Sequence, residues 1–191
     1  GLIARELGGS HRAQVIGAVA AAISPISLLM GALFQYVSFD YMWWVIIAYL
    51  MVRLLKSGEP RWWPAIGLAI GLGMMTKYTM AFLVAGIAAG ILLTPARRQL
   101  ASPWLWGGVV IAVLISIPNL LWQVRHGFIS LDFLNAIHRR DVEIGRADGF
   151  LLQQLYVGAN PFVLPLWAAG LYFYFFYHQK LYCQNPYKMI H

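Results

Sequence analysis

The sequence holds one cysteine, Cys183, among 191 residues. A single thiol excludes an internal disulfide framework and a cysteine-based metal centre. Charge is scarce as well: Asp, Glu, Lys and Arg make up 11% of the chain, against about 25% in a soluble domain. Acidic residues are the scarcest, seven against fourteen Lys and Arg, for a formal net charge of +7. That excess is not gathered into a basic stripe interleaved with aromatics, so nothing in it fits a nucleic-acid partner. The apolar residues do not fall into the i, i+3, i+4 stripes of a soluble helix. No Gly-x-Ser-x-Gly, Walker loop, His-Glu-x-x-His or Rossmann fingerprint occurs. No metal spacing such as His-x-x-x-His occurs either, so neither a cofactor nor a metal is expected; a divalent metal has no support in the residues. Composition offers no domain boundary and no low-complexity run. The chain opens Gly-Leu-Ile-Ala-Arg without Met or signal peptide and closes on "KLYCQNPYKMIH". Both ends read as cut from something longer.

What is present is apolar mass: 60% hydrophobic residues, with eight Trp, ten Tyr and ten Phe. It comes in long runs, the signature of membrane-spanning helices. Six segments can be marked: Ala13–Tyr36 with Pro25 inside, Tyr41–Leu55, Trp62–Met75, Thr79–Thr94, Trp104–Val124 with Pro118, and Leu155–Tyr177 with Pro161 and Pro165. The expected fold is all-α, a polytopic transmembrane helix bundle over residues 1–177, followed by an unmatched tail over 178–191.

Lys77 is the one charge in the 33 residues from Trp62 to Thr94. A lysine in hydrocarbon costs a few kcal/mol even on lenient scales. A single helix of that length would be about 50 Å long, whereas hydrocarbon is about 30 Å thick. A hairpin with Thr76–Lys77–Tyr78 at its tip is the better reading. Gly67, Gly71 and Gly73 on one arm, and Gly86 and Gly90 on the other, would let the two arms approach closely. With the tip outside, nine basic residues fall on one side: Arg5, Arg12, Arg53, Lys56, Arg61, Arg97, Arg98, Lys180 and Lys188. The other side receives five, Lys77, Arg125, Arg139, Arg140 and Arg146, balanced by Asp40, Asp132, Asp141, Glu143 and Asp148. The positive-inside bias then predicts a multi-pass inner-membrane protein with Lys77, Asp40 and loop 125–149 on the extracytoplasmic side. Within that loop, Leu131–Arg140 can form a short amphipathic helix.

Few residues offer chemistry. Lys77 can snorkel to the interface, or hold a lipid phosphate as a point charge, with Thr76, Tyr78 and Thr79 adding hydroxyl donors. Asp40 can be the N-cap of the second span, or a site residue that orients a sugar or supports a metal. Tyr36, Tyr41, Trp43 and Trp44 form an interfacial belt or a sugar platform. Asn119 and Gln123, one helical turn apart, share a face. They can satisfy backbone freed by Pro118 or line a cavity. His126, His138, Arg139, Arg140, Asp141, Glu143 and Arg146 read as a solvated face, or as a grip on an anion through Arg139 and Arg140.

The stretches "ARELGGSHRAQ", "GLAIGLGMMTKYTMAFL", "LLTPARRQLASPWLW" and "IPNLLWQVRHGFISLDFL" together resemble bacterial family 39 glycosyltransferases of the GT-C fold. This is the dolichyl-phosphate-mannose–protein mannosyltransferase superfamily, with its aminoarabinose-transferase-like members. The resemblance runs from about Ala4 to Phe176 and excludes the closing "HQKLYCQNPYKMIH". It implies an inverting transfer of sugar from a polyprenyl-phosphate carrier in the membrane lipid to a protein, lipid or glycan hydroxyl outside the cytoplasm. It implies a general-base Asp in a loop upstream of Gly1, so no catalytic residue is assigned in this chain. Lys77 matches the family's threonine/asparagine–lysine element. Asp40 matches an acidic position at the start of a span. Lys77 and Asp40, with the Tyr78 hydroxyl beside the lysine, are the expected substrate-binding residues. The alternatives are a transporter or flippase-like module, suggested by the broken spans, and an inactive truncated product.

Overall fold

The computed structural model describes residues 1–24, 28, 31–32, 35–145, 168 and 172. The chain divides into two compact units, Gly1–Ile137 and His138–His191. The elements are α1 (Leu2–Glu6), α2 (His11–Ala22), α3 (Tyr36–Ser57), a 3-10 turn (Pro60–Trp62), α4 (Trp63–Thr76), α5 (Met80–Leu93), a 3-10 segment (Pro95–Ala101), α6 (Pro103–Arg125) and α7 (Ile129–Glu143). No strand occurs among the described residues.

Local signals set most of the boundaries. The Ser10 hydroxyl accepts the Ala13 N–H at the start of α2. Gly58, at φ 67°, ends α3 in the left-handed region that favours glycine. Pro103 opens α6, where its missing N–H costs nothing. The break expected at Thr76–Lys77–Tyr78 is present: α4 ends at Thr76 and α5 begins at Met80.

Among the described residues α3 and α6, with 22 and 23 residues, are long and apolar enough to cross a membrane. Counting α5 with the 3-10 segment after it, bent by 105°, raises the number to three at most. Among the described residues two to three spans thus stand, against six expected over the whole chain. The expected span Leu155–Tyr177 lies outside the described residues apart from Ala168 and Tyr172, as do Pro25, Pro161 and Pro165. Helices α4 and α5 have 14 residues each, about 21 Å at 1.5 Å per residue, shorter than the hydrocarbon is thick. Val110, Leu114 and Leu121 of α6 point away from the protein. Such an apolar surface suits lipid and not water, and the chain is a membrane protein.

The core is small and lies around α4. Ile47, Leu50 and Leu54 of α3 meet Trp63, Ile66 and Ala69 of α4, with Met80 and Ile91 of α5 and Leu105 of α6. Helices α4 and α6 run parallel, with Gly67 against Gly108 and Gly71 against Ala112 and Ile115. A Cβ on Gly67 would overlap the Gly108 carbonyl, and a Cβ on Gly108 would overlap that of Trp63. The two backbones therefore touch. This corrects the expected glycine-to-glycine hairpin. The face of Gly67 and Gly71 is matched by a second pair of small residues at the same spacing, Gly108 and Ala112. A Cβ on Gly86 or Gly90 of α5 would meet nothing within 4 Å.

At the end of the bundle away from Lys77, α1 is held to α3 by charge. Glu6 takes Lys56 Nζ at 3.3 Å, Arg53 Nη1 at 3.4 Å and Arg5 Nη2 at 3.6 Å. Arg53 also reaches the Tyr49 hydroxyl and lies over the Trp62 ring. Desolvation pushes the Glu6 pKa up, but the Lys56 hydrogen bond and the charges of Lys56, Arg53 and Arg5 outweigh it, leaving the carboxyl below its usual range.

Two outcomes follow from this packing. Gly67→Leu should lower the unfolding midpoint of the detergent-solubilised protein, at a cost of about 1–3 kcal/mol or more. Gly86→Ala should leave it unchanged or raise it slightly, and equal effects at the two positions would contradict the α4–α6 contact. For Glu6, a depressed carboxylate pKa stabilises the docked state above the ordinary carboxylate range, and that stability is lost as pH falls through the lowered value. Amide exchange of residues 2–9, corrected for its intrinsic pH dependence, should accelerate only at acid pH. In Glu6→Gln it should be fast at neutral pH too, and matching profiles for the two proteins would refute the tether.

Candidate functional site

Lys77 ends α4 in an extended conformation, φ −158° and ψ 137°, with its N–H on the Gly73 carbonyl at 2.9 Å. Extended backbone sends successive side chains to opposite sides. Lys77 and Thr79 turn to α3, and Tyr78 turns to α6. The Lys77 ammonium lies 5.8 Å from the centre of the Tyr36 ring, a cation–π contact. Thr79 Oγ1 donates to Asp40 Oδ2 at 3.2 Å. Tyr78 Oη donates to Asn119 Oδ1 at 2.6 Å and accepts from Gln123 Nε2 at 2.7 Å. Met80 is fully buried, with its side chain folded over Gly73.

Asp40 is not an N-cap. Helix α3 begins a full turn earlier, at Tyr36, with Gln35 in the cap position and no side-chain cap bond. The Tyr36–Phe39 turn continues the helix before the carboxylate, so no free N–H remains for it to cap. Spacing by sevens places Asp40 in line with Ile47 and Leu54 on the buried seam of α3. The residue is 8% exposed. Its Oδ1 has no hydrogen-bond partner among the described residues, and neither does Trp44 Nε1 one turn along the same face. An acceptor and a donor thus stand buried and unmatched beside the break, which is uncommon in folded proteins.

The structure brings Lys77, Asp40 and Tyr78 to one end of the bundle, where they meet Tyr36, Thr79 and Asn119 respectively. The hydroxyls expected to serve an anion are spent inside the protein. Thr76 Oγ1 donates to the Leu72 carbonyl, Tyr78 to Asn119 and Thr79 to Asp40. Lys77 makes no ion pair among the described residues. Asn119 and Gln123 do share a face, and they use it to grip the break. Thr79 as the carboxylate's partner and Ser130 as Gln123's were not readable as such, because each pairing crosses between elements.

A cavity of about 340 Å³ lies between α4, α5 and α6. It runs from Trp63 at one end to Met74, Ala81 and Leu120 at the other, beside the break. Its one hydroxyl, on Ser116, is turned to the Ala112 carbonyl, so the lining is apolar. Beyond α6, His126 stacks on Trp122 with centroids 4.3 Å apart. Helix α7 forms where the amphipathic segment was expected, and Arg139 and Arg140 stand exposed on it, Arg140 paired with Asp141. Among the described residues no group of His, Cys, Asp and Glu could hold a metal ion. Arg146 and Asp148 lie outside the described residues.

The Thr79–Asp40 bond gives a direct test. Thr79→Val leaves both carboxylate oxygens unmatched and should cost about 1–3 kcal/mol. Asp40→Leu in the same background removes the unmatched group and should restore most of the loss, measured as detergent unfolding midpoints. Additive losses in the double variant would show that the two side chains do not interact.

A family model described as dolichyl-phosphate-mannose-protein mannosyltransferase matches residues 2–122, which hold Asp40, Lys77, Tyr78 and Asn119. A curated relative, the lipid A galacturonosyltransferase RgtD of Rhizobium johnstonii, is 34% identical over 107 residues. The match covers 54% of this chain and 22% of that protein's length. No solved structure matches the chain.

Proposed function

The chain belongs to the dolichyl-phosphate-mannose-protein mannosyltransferase family, and on that premise we propose that it is part of an integral-membrane glycosyltransferase. The enzyme takes sugar from a polyprenyl-phosphate carrier and passes it, with inversion, to an extracytoplasmic hydroxyl. The acceptor is a protein, lipid or glycan, and the relative's name, a lipid A galacturonosyltransferase, favours a lipid. Lys77 holds the carrier's phosphate at the outer membrane boundary. The observation that carries this reading is the ammonium of Lys77, without an ion-pair partner among the described residues, at a break between two short apolar helices. A fixed cation there stabilises charge that develops on a departing phosphate. The apolar cavity that reaches the same break supports a ligand with a hydrocarbon chain. Such a ligand meets both needs at once, charge at the boundary and apolar surface below it.

Asp40 serves substrate through its unmatched oxygen. Asp40 Oδ1 and Trp44 Nε1 are an acceptor and a donor, the two functions a sugar hydroxyl answers, and both are buried in this structure, so substrate reaches them only as the break moves. Proton transfer is not assigned to Asp40. Tyr78 contributes through its place in the break, since its hydroxyl proton is committed to Asn119. A transporter would place ionisable groups near the midplane. Here Asp40 stands in the second turn of α3, and Lys77 just past the last residue of α4.

In the complete enzyme, Lys77→Ala should cut sugar transfer by about tenfold or more with an unchanged amount of protein in membranes. Lys77→Arg should retain part of the activity, because the charge remains. Full activity in Lys77→Ala would end the proposed role.

A further inference from the structure

Gln123 is 5% exposed, on the last turn of α6. Every polar atom of its side chain is used. Its Nε2 donates to Tyr78 Oη at 2.7 Å and to Ser130 Oγ at 2.5 Å. Its Oε1 accepts the Ser130 N–H at 3.4 Å. Its main-chain carbonyl accepts the Phe128 N–H at 2.8 Å. The return of the chain to Ser130 depends on two successive left-handed residues, Gly127 at φ 63° and Phe128 at φ 57°. A bulky side chain at such a φ is unusual and persists only where its surroundings enforce it. One amide therefore ties three pieces of chain together: the end of α6, the turn into α7, and the break between α4 and α5.

We propose that Gln123 is a positioning residue for Lys77. The inference rests on the reading of Lys77 as the phosphate-binding cation. Among the described residues no hydrogen bond or ion pair joins the Lys77 side chain to α6. Its neighbour Tyr78 is pinned there by two hydrogen bonds, to Asn119 and from Gln123. With Tyr78 fixed toward α6, extended backbone at Lys77 directs the ammonium to the opposite side, over Tyr36. Thr79, bound to Asp40, pins the other flank. A three-residue break clamped between two helices presents its lysine in one orientation. The gain is preorganisation: the ordering is done before the phosphate arrives. Without the Gln123 amide the Tyr78 hydroxyl keeps Asn119 alone, and Ser130 loses its side-chain ties while the main-chain bond from Phe128 stays.

The test compares two ligands that differ only in the head group, farnesyl phosphate and farnesol. Both are titrated against the complete enzyme that contains this chain, in phosphatidylcholine nanodiscs. The ratio of the two dissociation constants isolates what the phosphate contributes. A loss of general fold weakens both ligands alike and leaves the ratio in place. The wild-type ratio should be about tenfold or more, as for a charge-assisted contact to phosphate. Gln123→Met, close in shape and unable to form these bonds, should lower the ratio several-fold while farnesol binds as before. Tyr78→Phe should do the same, and the double variant should lose no more than either single one. A ratio unchanged in both Gln123→Met and Tyr78→Phe, yet abolished in Lys77→Met, overturns the positioning role and leaves the phosphate-binding reading intact. A ratio untouched by Lys77→Met overturns that reading, and the inference with it.

Discussion

The direct contact of α4 with α6 at Gly67 and Gly108 is the constraint on which the rest depends. Two parallel helices whose backbones touch cannot slide without a clash, so the register between them is fixed along their length. Fixing the register at Gly67 carries the end of α4, about two and a half turns on, toward Asn119 and Gln123, which lie about three and four turns beyond Gly108. Only then can Tyr78 reach both amides. On its other side α4 is held by the seam of α3, where Ile47, Leu50 and Leu54 are buried and Asp40 continues the same line. The break after α4 is thus delivered between two helices already in place; the extended Lys77 sets its side chain opposite that of Tyr78, and the turn that follows brings Thr79 back to α3.

Charge is sorted between the two ends of this frame. Where Arg5, Arg53 and Lys56 gather, a single carboxylate, Glu6, answers three cations. Where Lys77 stands, the nearby carboxylate of Asp40 is taken by a threonine hydroxyl, and the lysine faces an aromatic ring. A cation–π contact is worth about 0.5–1 kcal/mol at an exposed site, too little to compensate for dehydrating an ammonium. Lys77 is therefore suited to an aqueous boundary and to an anionic visitor. Beside the lysine stand the buried, unmatched oxygen of Asp40 and indole N–H of Trp44.

The break was legible because one lysine in 33 apolar residues cannot be placed in hydrocarbon without penalty, and α4 and α5 stop on either side of it. The α3 and α6 spans were legible from their length and apolar composition. Which helix would receive the glycine face of α4 was not, since small-x-x-x-small spacing recurs at Gly67, Gly86 and Gly108 and the sequence carries no preference among them. The burial of Asp40 was present in its spacing to Ile47 and Leu54, but the aromatic residues around it read as an interfacial belt and hid the seam. Asn119 and Gln123 could be placed on one face. That they hold Tyr78 was not readable, because the contact crosses between elements, and Gln123's further bond to Ser130 needs a left-handed Phe128, a residue that gives no local signal for one.

The central claim is that Lys77 stands at one aqueous face of the membrane and the Arg53–Lys56 end at the other. Cysteines introduced singly at positions 77 and 56, in a Cys183→Ser background, would report this directly through a membrane-impermeant maleimide. In intact cells with the outer membrane permeabilised, Lys77→Cys should label and Lys56→Cys should not; inverted inner-membrane vesicles should show the reverse. Labelling of both positions from the same side, or of position 77 from neither side, would contradict the account.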